Sequence, residues 1–271
     1  NGERSLRTIV PERIDNYDKE RVSGITRDGF NNDWKVHSKN AIPDNRVNLM
    51  INRHTKFNSG AELSGSLALN YSNSSLSVNN MLNSRYGVYN SVEDKPEFLY
   101  SYVDNQYSID SKAGVMLNIH WLKGDSGIEF RNTLNQHGKN RYTIRDGWQE
   151  ISARYNQEKY EYLYWARTTY TGQFAGNHKL GRQNISWAAG YSYAGLNQPD
   201  RRIINREENL IHGDRYYGMM AIDQNEITRD FVSLDEHTVS GSINTNFTLG
   251  LPKNVKTEIK AGLYSEYRTR E

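Results

Sequence analysis

The 271 residues include 34 basic and 32 acidic side chains, a formal charge of +2, so no polyanion-binding footprint exists and nucleic acid is not an implied partner. The absence of cysteine excludes a disulfide framework and a thiolate metal site and leaves the compartment open. A hydrophobic content of 36% and a mean hydropathy of -0.86 are low for a compact core, whereas 19 Tyr, 7 Phe and 5 Trp argue against disorder and for polar β structure.

Residues 1–44 hold Pro11, Pro43 and a charged stretch from Asp15 to Arg21, with no sustained periodicity, and read as an external loop or leader. Asn1-Gly2-Glu3-Arg4 is no signal peptide, so for an exported protein the numbering is expected to begin after processing or inside a longer chain. From Arg46 to Ser72 two alternating runs fold back on Asn58-Ser59-Gly60. Val47, Leu49 and Ile51, then Leu63, Leu67, Leu69 and Tyr71, share one parity, and Glu62, Ser64, Ser66, Asn70 and Ser72 the other. This predicts a β-hairpin with one apolar and one wet face.

A polar stretch rich in Ser and Asn, about 73–107, separates it from a second hairpin. There Val115, Leu117, Ile119 and Trp121 oppose Lys112, Asn118 and His120, and a Gly-containing turn leads into Ile128, Phe130 and Leu134. After a second polar stretch, 137–158, Tyr160, Tyr162, Tyr164, Tyr170 and Phe174 form one parity, weakened by Leu163 and Trp165 on the other. Trp187, Tyr191 and Tyr193 continue the pattern. The longest polar stretch, 197–235, is the most charged. The fourth hairpin is expected to pair 237–249 with 257–268 across Gly250-Leu251-Pro252-Lys253-Asn254.

Four hairpins joined alternately by short turns and by connections of roughly twenty to forty residues predict an all-β, antiparallel up-and-down transmembrane β-barrel segment of about eight strands. No run of eighteen apolar residues occurs, which excludes a transmembrane helix but not membrane strands. The lipid-facing set is expected to be Leu63, Leu67, Leu69, Tyr71, Val115, Leu117, Ile119, Trp121, Trp187 and Tyr191. Aromatics toward strand ends suit an interfacial girdle, or reflect only the taste of Tyr and Trp for strands.

Catalytic signals are poor. The seven histidines (His37, His54, His120, His137, His178, His212, His237) form no His-x-x-x-His spacing, and no Gly-rich phosphate loop or Gly-x-Ser-x-Gly elbow occurs; no enzyme activity and no cofactor are expected. Asp223, Asn225 and Glu226 could offer oxygens to calcium, but the twelve-residue ligand pattern is lacking, so no metal is expected. Arg145 and Trp148, and Arg201, Arg202 and Arg206 with Tyr216 and Tyr217, combine guanidinium groups with aromatic platforms. They could bind an anionic or sugar-like ligand, or form an internal salt-bridge network.

Several segments, Gly29-Phe30-Asn31-Asn32-Asp33-Trp34, Asn83-Ser84-Arg85-Tyr86-Gly87-Val88-Tyr89, Arg145-Asp146-Gly147-Trp148, Gln198-Pro199-Asp200-Arg201-Arg202-Ile203 and Tyr267-Arg268-Thr269-Arg270, resemble the barrel region of TonB-dependent outer-membrane receptors of the Bacteroidetes type. The resemblance implies a barrel of about 22 strands with a plugged lumen, of which this chain would be a fragment. It also implies a plug domain and TonB complex as partners, outer-membrane lipid around the wall, and a nutrient ligand; a surface lipoprotein partner is open. Asn58-Ser59-Gly60 would then be a periplasmic turn, with 1–44 and 73–107 outside the cell. A soluble or surface-exposed all-β binding protein with a sandwich core, and a self-contained eight-stranded barrel, are the alternatives.

Overall fold

The computed structural model describes residues 10–11, 17–150, 153–250 and 256–271, without the side chain of Lys256. A helix, α1 (Lys19–Gly29), precedes a single sheet of nine strands: β1 (Asn45–Lys56), β2 (Ala61–Asn90), β3 (Lys95–Lys123), β4 (Ser126–Glu150), β5 (Arg154–Leu180), β6 (Gln183–Glu208), β7 (Met220–Ile222), β8 (Thr228–Gly250) and β9 (Lys256–Arg270). Every pairing is antiparallel. The order is β1-β2-β3-β4-β5-β6-β8-β9, with β7 a short annex on β6. The fold is therefore all-β and up-and-down, and the sheet is open, with β1 and β9 as its edges. It has no second sheet among the described residues.

The opening hairpin forms as its alternation predicts. Leu49 stands opposite Leu69, and Ile51 opposite Leu67, while Gly60 takes a φ of 74° that suits glycine in the turn. The same face continues through Leu67 and Leu117, and through Leu69, Val115, Leu134, Tyr170 and Tyr193. Of the ten side chains expected on this face, Leu63, Leu69, Tyr71, Val115, Leu117, Ile119 and Tyr191 are exposed, and Leu67, Trp121 and Trp187 are half-buried. The apolar rows on β2 run from Ala61 to Tyr71, close to the roughly 9–11 residues that a tilted membrane strand needs. Trp187 lies across Gly176 so closely that a Cβ there would meet its ring at 2.5 Å, an aromatic covering a glycine on a strand.

The opposite face is polar and concave. Five strands contribute to a depression of about 630 Å³ near the short turns, lined among others by His120, Glu129, Arg131, Asn184, Ser186 and Asn244. Such a face needs little apolar burial, and the buried hydrophobic side chains are Ala61, Tyr102 and Leu163 among the described residues. Leu163 shares the parity of Glu161 and, through its partner Arg141, lies on this concave side. That is the reason the third hairpin alternates poorly in the sequence.

The polar stretches 73–107, 137–158 and 197–235 are mostly not loops. The interior hairpins simply continue as paired strand: the far connections shrink to 91–94 and 209–219, while β4 runs to Glu150 and β5 begins at Arg154. Both faces of these continuations are wet, so period-2 hydrophobicity fades while the hydrogen-bonded ladder persists. Bulges also flip the parity: registers shift between Val78 and Met81 on β2, where Asn80 has a φ of 58°, and between Gln198 and Arg201 on β6, where Asp200 has the same φ. The asymmetry between the two ends is thus one of strand extension more than of loop length. The expected turn 250–254 has its last four residues outside the described residues. No helix among the described residues is long and apolar enough to cross a membrane, which says nothing of strands that cross.

Candidate functional site

The far half of the sheet, beyond the row that joins Tyr71 to Ala113, Gln136, Thr168 and Gly195, carries the charged residues singled out in the sequence. Arg145 on β4 faces Asp104 on β3 and donates from Nε and Nη2 to its two carboxylate oxygens, each at 2.8 Å. Asp104 is only 2% exposed. Burial pushes its carboxyl up, but hydrogen bonds from Arg145 and Asn83 outweigh that and hold it below the ordinary value. The Arg145 guanidinium also lies 5.1 Å from the Tyr102 ring centroid. Burial, with Tyr155 next, pushes the Tyr102 phenol up to about 12, so it stays a neutral donor, giving its hydrogen to Gln157 at 2.9 Å.

Arg201 is likewise engaged. Its Nε donates to Glu161 at 2.8 Å and its Nη1 to Asp230 at 3.3 Å, while Arg141 approaches the other oxygen of Glu161 at 2.8 Å. Burial raises Glu161, yet Arg201 and Arg141 together hold it below the usual carboxylate range. Arg206 donates to Glu158 at 2.6 Å. Trp148 lies under the Arg154 guanidinium, 3.7 Å from centroid to carbon. Arg202 joins Arg229 around Asp200, which is 2% exposed.

Four of the seven candidate ligand residues, Arg145, Arg201, Arg202 and Arg206, are therefore internally paired, as a salt-bridge network requires. Their partners Asp104, Glu158 and Glu161, and the further arginine Arg229, carry no sequence signal of their own; Asp200 stands in the segment Gln198–Ile203, two residues from Arg202. The exposed pair is at the tip. In the connection 209–219, Tyr216 and Tyr217 are 48% and 49% exposed. Tyr217 stacks on His212 with centroids 5.1 Å apart, and Arg215 lies 4.5 Å over Tyr216. Asp214 organises this tip by accepting from the Tyr216 backbone N–H at 3.0 Å and from Asn209 Nδ2 at 3.0 Å. Those bonds, the backbone one first, hold its carboxyl below its ordinary value.

Asp223 caps the 3-10 helix Gln224–Glu226, accepting from the Asn225 backbone N–H at 2.9 Å. Among the described residues no group of three or more His, Asp or Glu side chains is placed to hold a metal ion. The far end thus combines an internally ion-paired wall with an aromatic tip, an arrangement that can present stacking surfaces to a ligand. No protein-family model, no curated protein and no solved structure matches this chain.

Proposed function

We propose that the chain is part of the wall of a TonB-dependent outer-membrane receptor for nutrient uptake, with no enzymatic activity of its own. The observation that carries this reading is the convex band of mostly apolar, exposed or half-buried side chains from Leu63 and Trp121 to Tyr71 and Tyr193, backed by a polar concave face. A single sheet in water would need that band covered, whereas lipid covers it without a second layer. The polar depression on the other side suits a watery lumen or a plug. The tip around His212, Tyr216 and Tyr217 suits first contact with a ligand outside the cell. A sandwich core would need a second sheet, and the described residues hold one.

The test compares neighbours on one strand. Leu117 pairs with Leu67 on the apolar face, and Asn118 with Ser66 on the polar face. Leu117→Arg is expected to cost up to about 2–4 kcal/mol near a bilayer midplane and to lower the amount recovered in outer membranes, while Asn118→Arg leaves it near wild type. If both variants are recovered alike, or if the natural full-length protein fractionates away from membranes, the receptor reading fails.

A further inference from the structure

Residues 30–34 lie against the far half of β5, β6 and β8, and they are held as a ligand is held. Asp200, in the bulge of β6, accepts from Arg202 Nε at 2.9 Å and Nη2 at 2.6 Å, and from Arg229 Nε and Nη2 at 2.7 Å each. With both guanidinium planes fixed by one buried carboxylate, their remaining N–H groups are aimed. Arg202 Nη1 donates to the backbone carbonyl of Asp33, Arg229 Nη2 to that of Asn31 at 2.8 Å, and Arg229 Nη1 to Asn32 Oδ1 at 3.2 Å. Tyr162 donates its hydroxyl to the Trp34 carbonyl at 3.1 Å.

Two rings complete the contact. Trp34 meets Tyr162 edge-on at 6.1 Å and lies under Arg202 at 4.9 Å; Phe30 meets Phe231 at 6.0 Å and lies under Arg229 at 4.8 Å. The segment joins no strand ladder. On one side it follows α1, in which Gly29 is the buried residue, and on the other it leads into 35–44, exposed and without regular structure. Three main-chain carbonyls, one amide side chain and two aromatic rings four residues apart are the recognised features.

We infer that Asp200, Arg202, Arg229, Tyr162 and Phe231 form a peptide-binding clasp, and that residues 30–34 are its own releasable occupant. The clasp takes an extended peptide with aromatic side chains four positions apart and a carboxamide at the position between them. Because the receptor side is prefixed by Asp200, the cost of ordering falls mainly on the peptide, which suits exchange of one segment for another. The inference stands independently of the membrane reading.

The test uses the full chain in the medium that keeps it folded. In Phe30→Ala/Trp34→Ala the occupant loses its rings while every residue of the clasp is kept. That variant is expected to bind a labelled synthetic peptide of the sequence of residues 27–36 at least about tenfold more tightly than wild type, whose clasp is filled. Adding Arg202→Lys, which keeps the charge and loses the planar fork, should weaken the peptide by about tenfold; adding Leu82→Ala, at an exposed position of β2 outside the clasp, should not. Equal binding to wild type and variant, no binding to either, or indifference to Arg202→Lys overturns the proposal. Amide exchange of β2–β4 confirms that each variant is folded.

Discussion

Asp104 and Arg145 form the most deeply seated ion pair on the concave face, with side-chain exposures of 3% and 31%. A buried pair is costly to break and cheap to replace as a whole, because removing one half leaves a charge without compensation. Arg145→Ala is therefore expected to destabilise the far end by about 3–5 kcal/mol, and Asp104→Leu/Arg145→Met by much less, measured as shifts in denaturant midpoint. The folded Asp104 titrates below its ordinary value of 3.8. Its contribution is thus complete above about pH 5 and is lost as pH falls through the ordinary and then the depressed value, a dependence the double variant should lack. Arg145 was visible in the sequence as a candidate, and its partner was not. The two are 41 positions apart, and only the lengths of two strands and of the turn 124–125 decide that Asp104 stands opposite Arg145. The same holds for the clasp: Gly29–Trp34 and Gln198–Ile203 each stand out alone, and no local rule joins them.

At the scale of elements, the hairpins near the short turns were legible because one face is greasy and the other wet. Their continuations were not, since Ser, Asn, Thr and charged residues occupy both faces and the bulges at Asn80 and Asp200 reverse the parity. One glycine shows what holds such a polar ladder in register. Gly147 has a φ of 158°, and a Cβ there would meet the Ser101 carbonyl oxygen at 2.2 Å and Tyr102 Cα at 2.7 Å. Both contacts are to backbone, so neither can yield by a rotamer change. Gly147→Ala is expected to force β3 and β4 apart locally and to cost about 1–3 kcal/mol or more, the scale of overpacking a close contact. Amide exchange should accelerate for Ser101 to Asp104 and for Arg145 to Gln149, while the pairs from Leu117–Asn132 down to the turn keep their protection. Unchanged exchange around Tyr102 would show that the close approach is not what fixes the register.

For the molecule as a whole, the two edges carry the argument. β1 has 12 residues and β9 has 15, whereas β2 has 30 and β5 has 27. Each edge strand is paired on one side only, so alternate backbone N–H and C=O groups along its outer side lack a ladder partner. In water such an edge invites pairing with another chain; in hydrocarbon it is not tolerated, because unsatisfied backbone groups there cost several kcal/mol each. Charged side chains such as Arg46, Arg53 and Lys56 on β1 guard an edge against water-borne association but do nothing for its backbone in lipid. If the sheet is a barrel wall, further strands must cover both edges. In the natural full-length protein the amides of Val47 to Arg53 and of Ile259 to Tyr267 should then exchange as slowly as their neighbours on β2 and β8, on both sides of each strand. Exchange that is slow only at alternate residues, those bonded to β2 and β8, would mean open edges, and the receptor wall would have to be abandoned for a sheet that ends where it is seen to end.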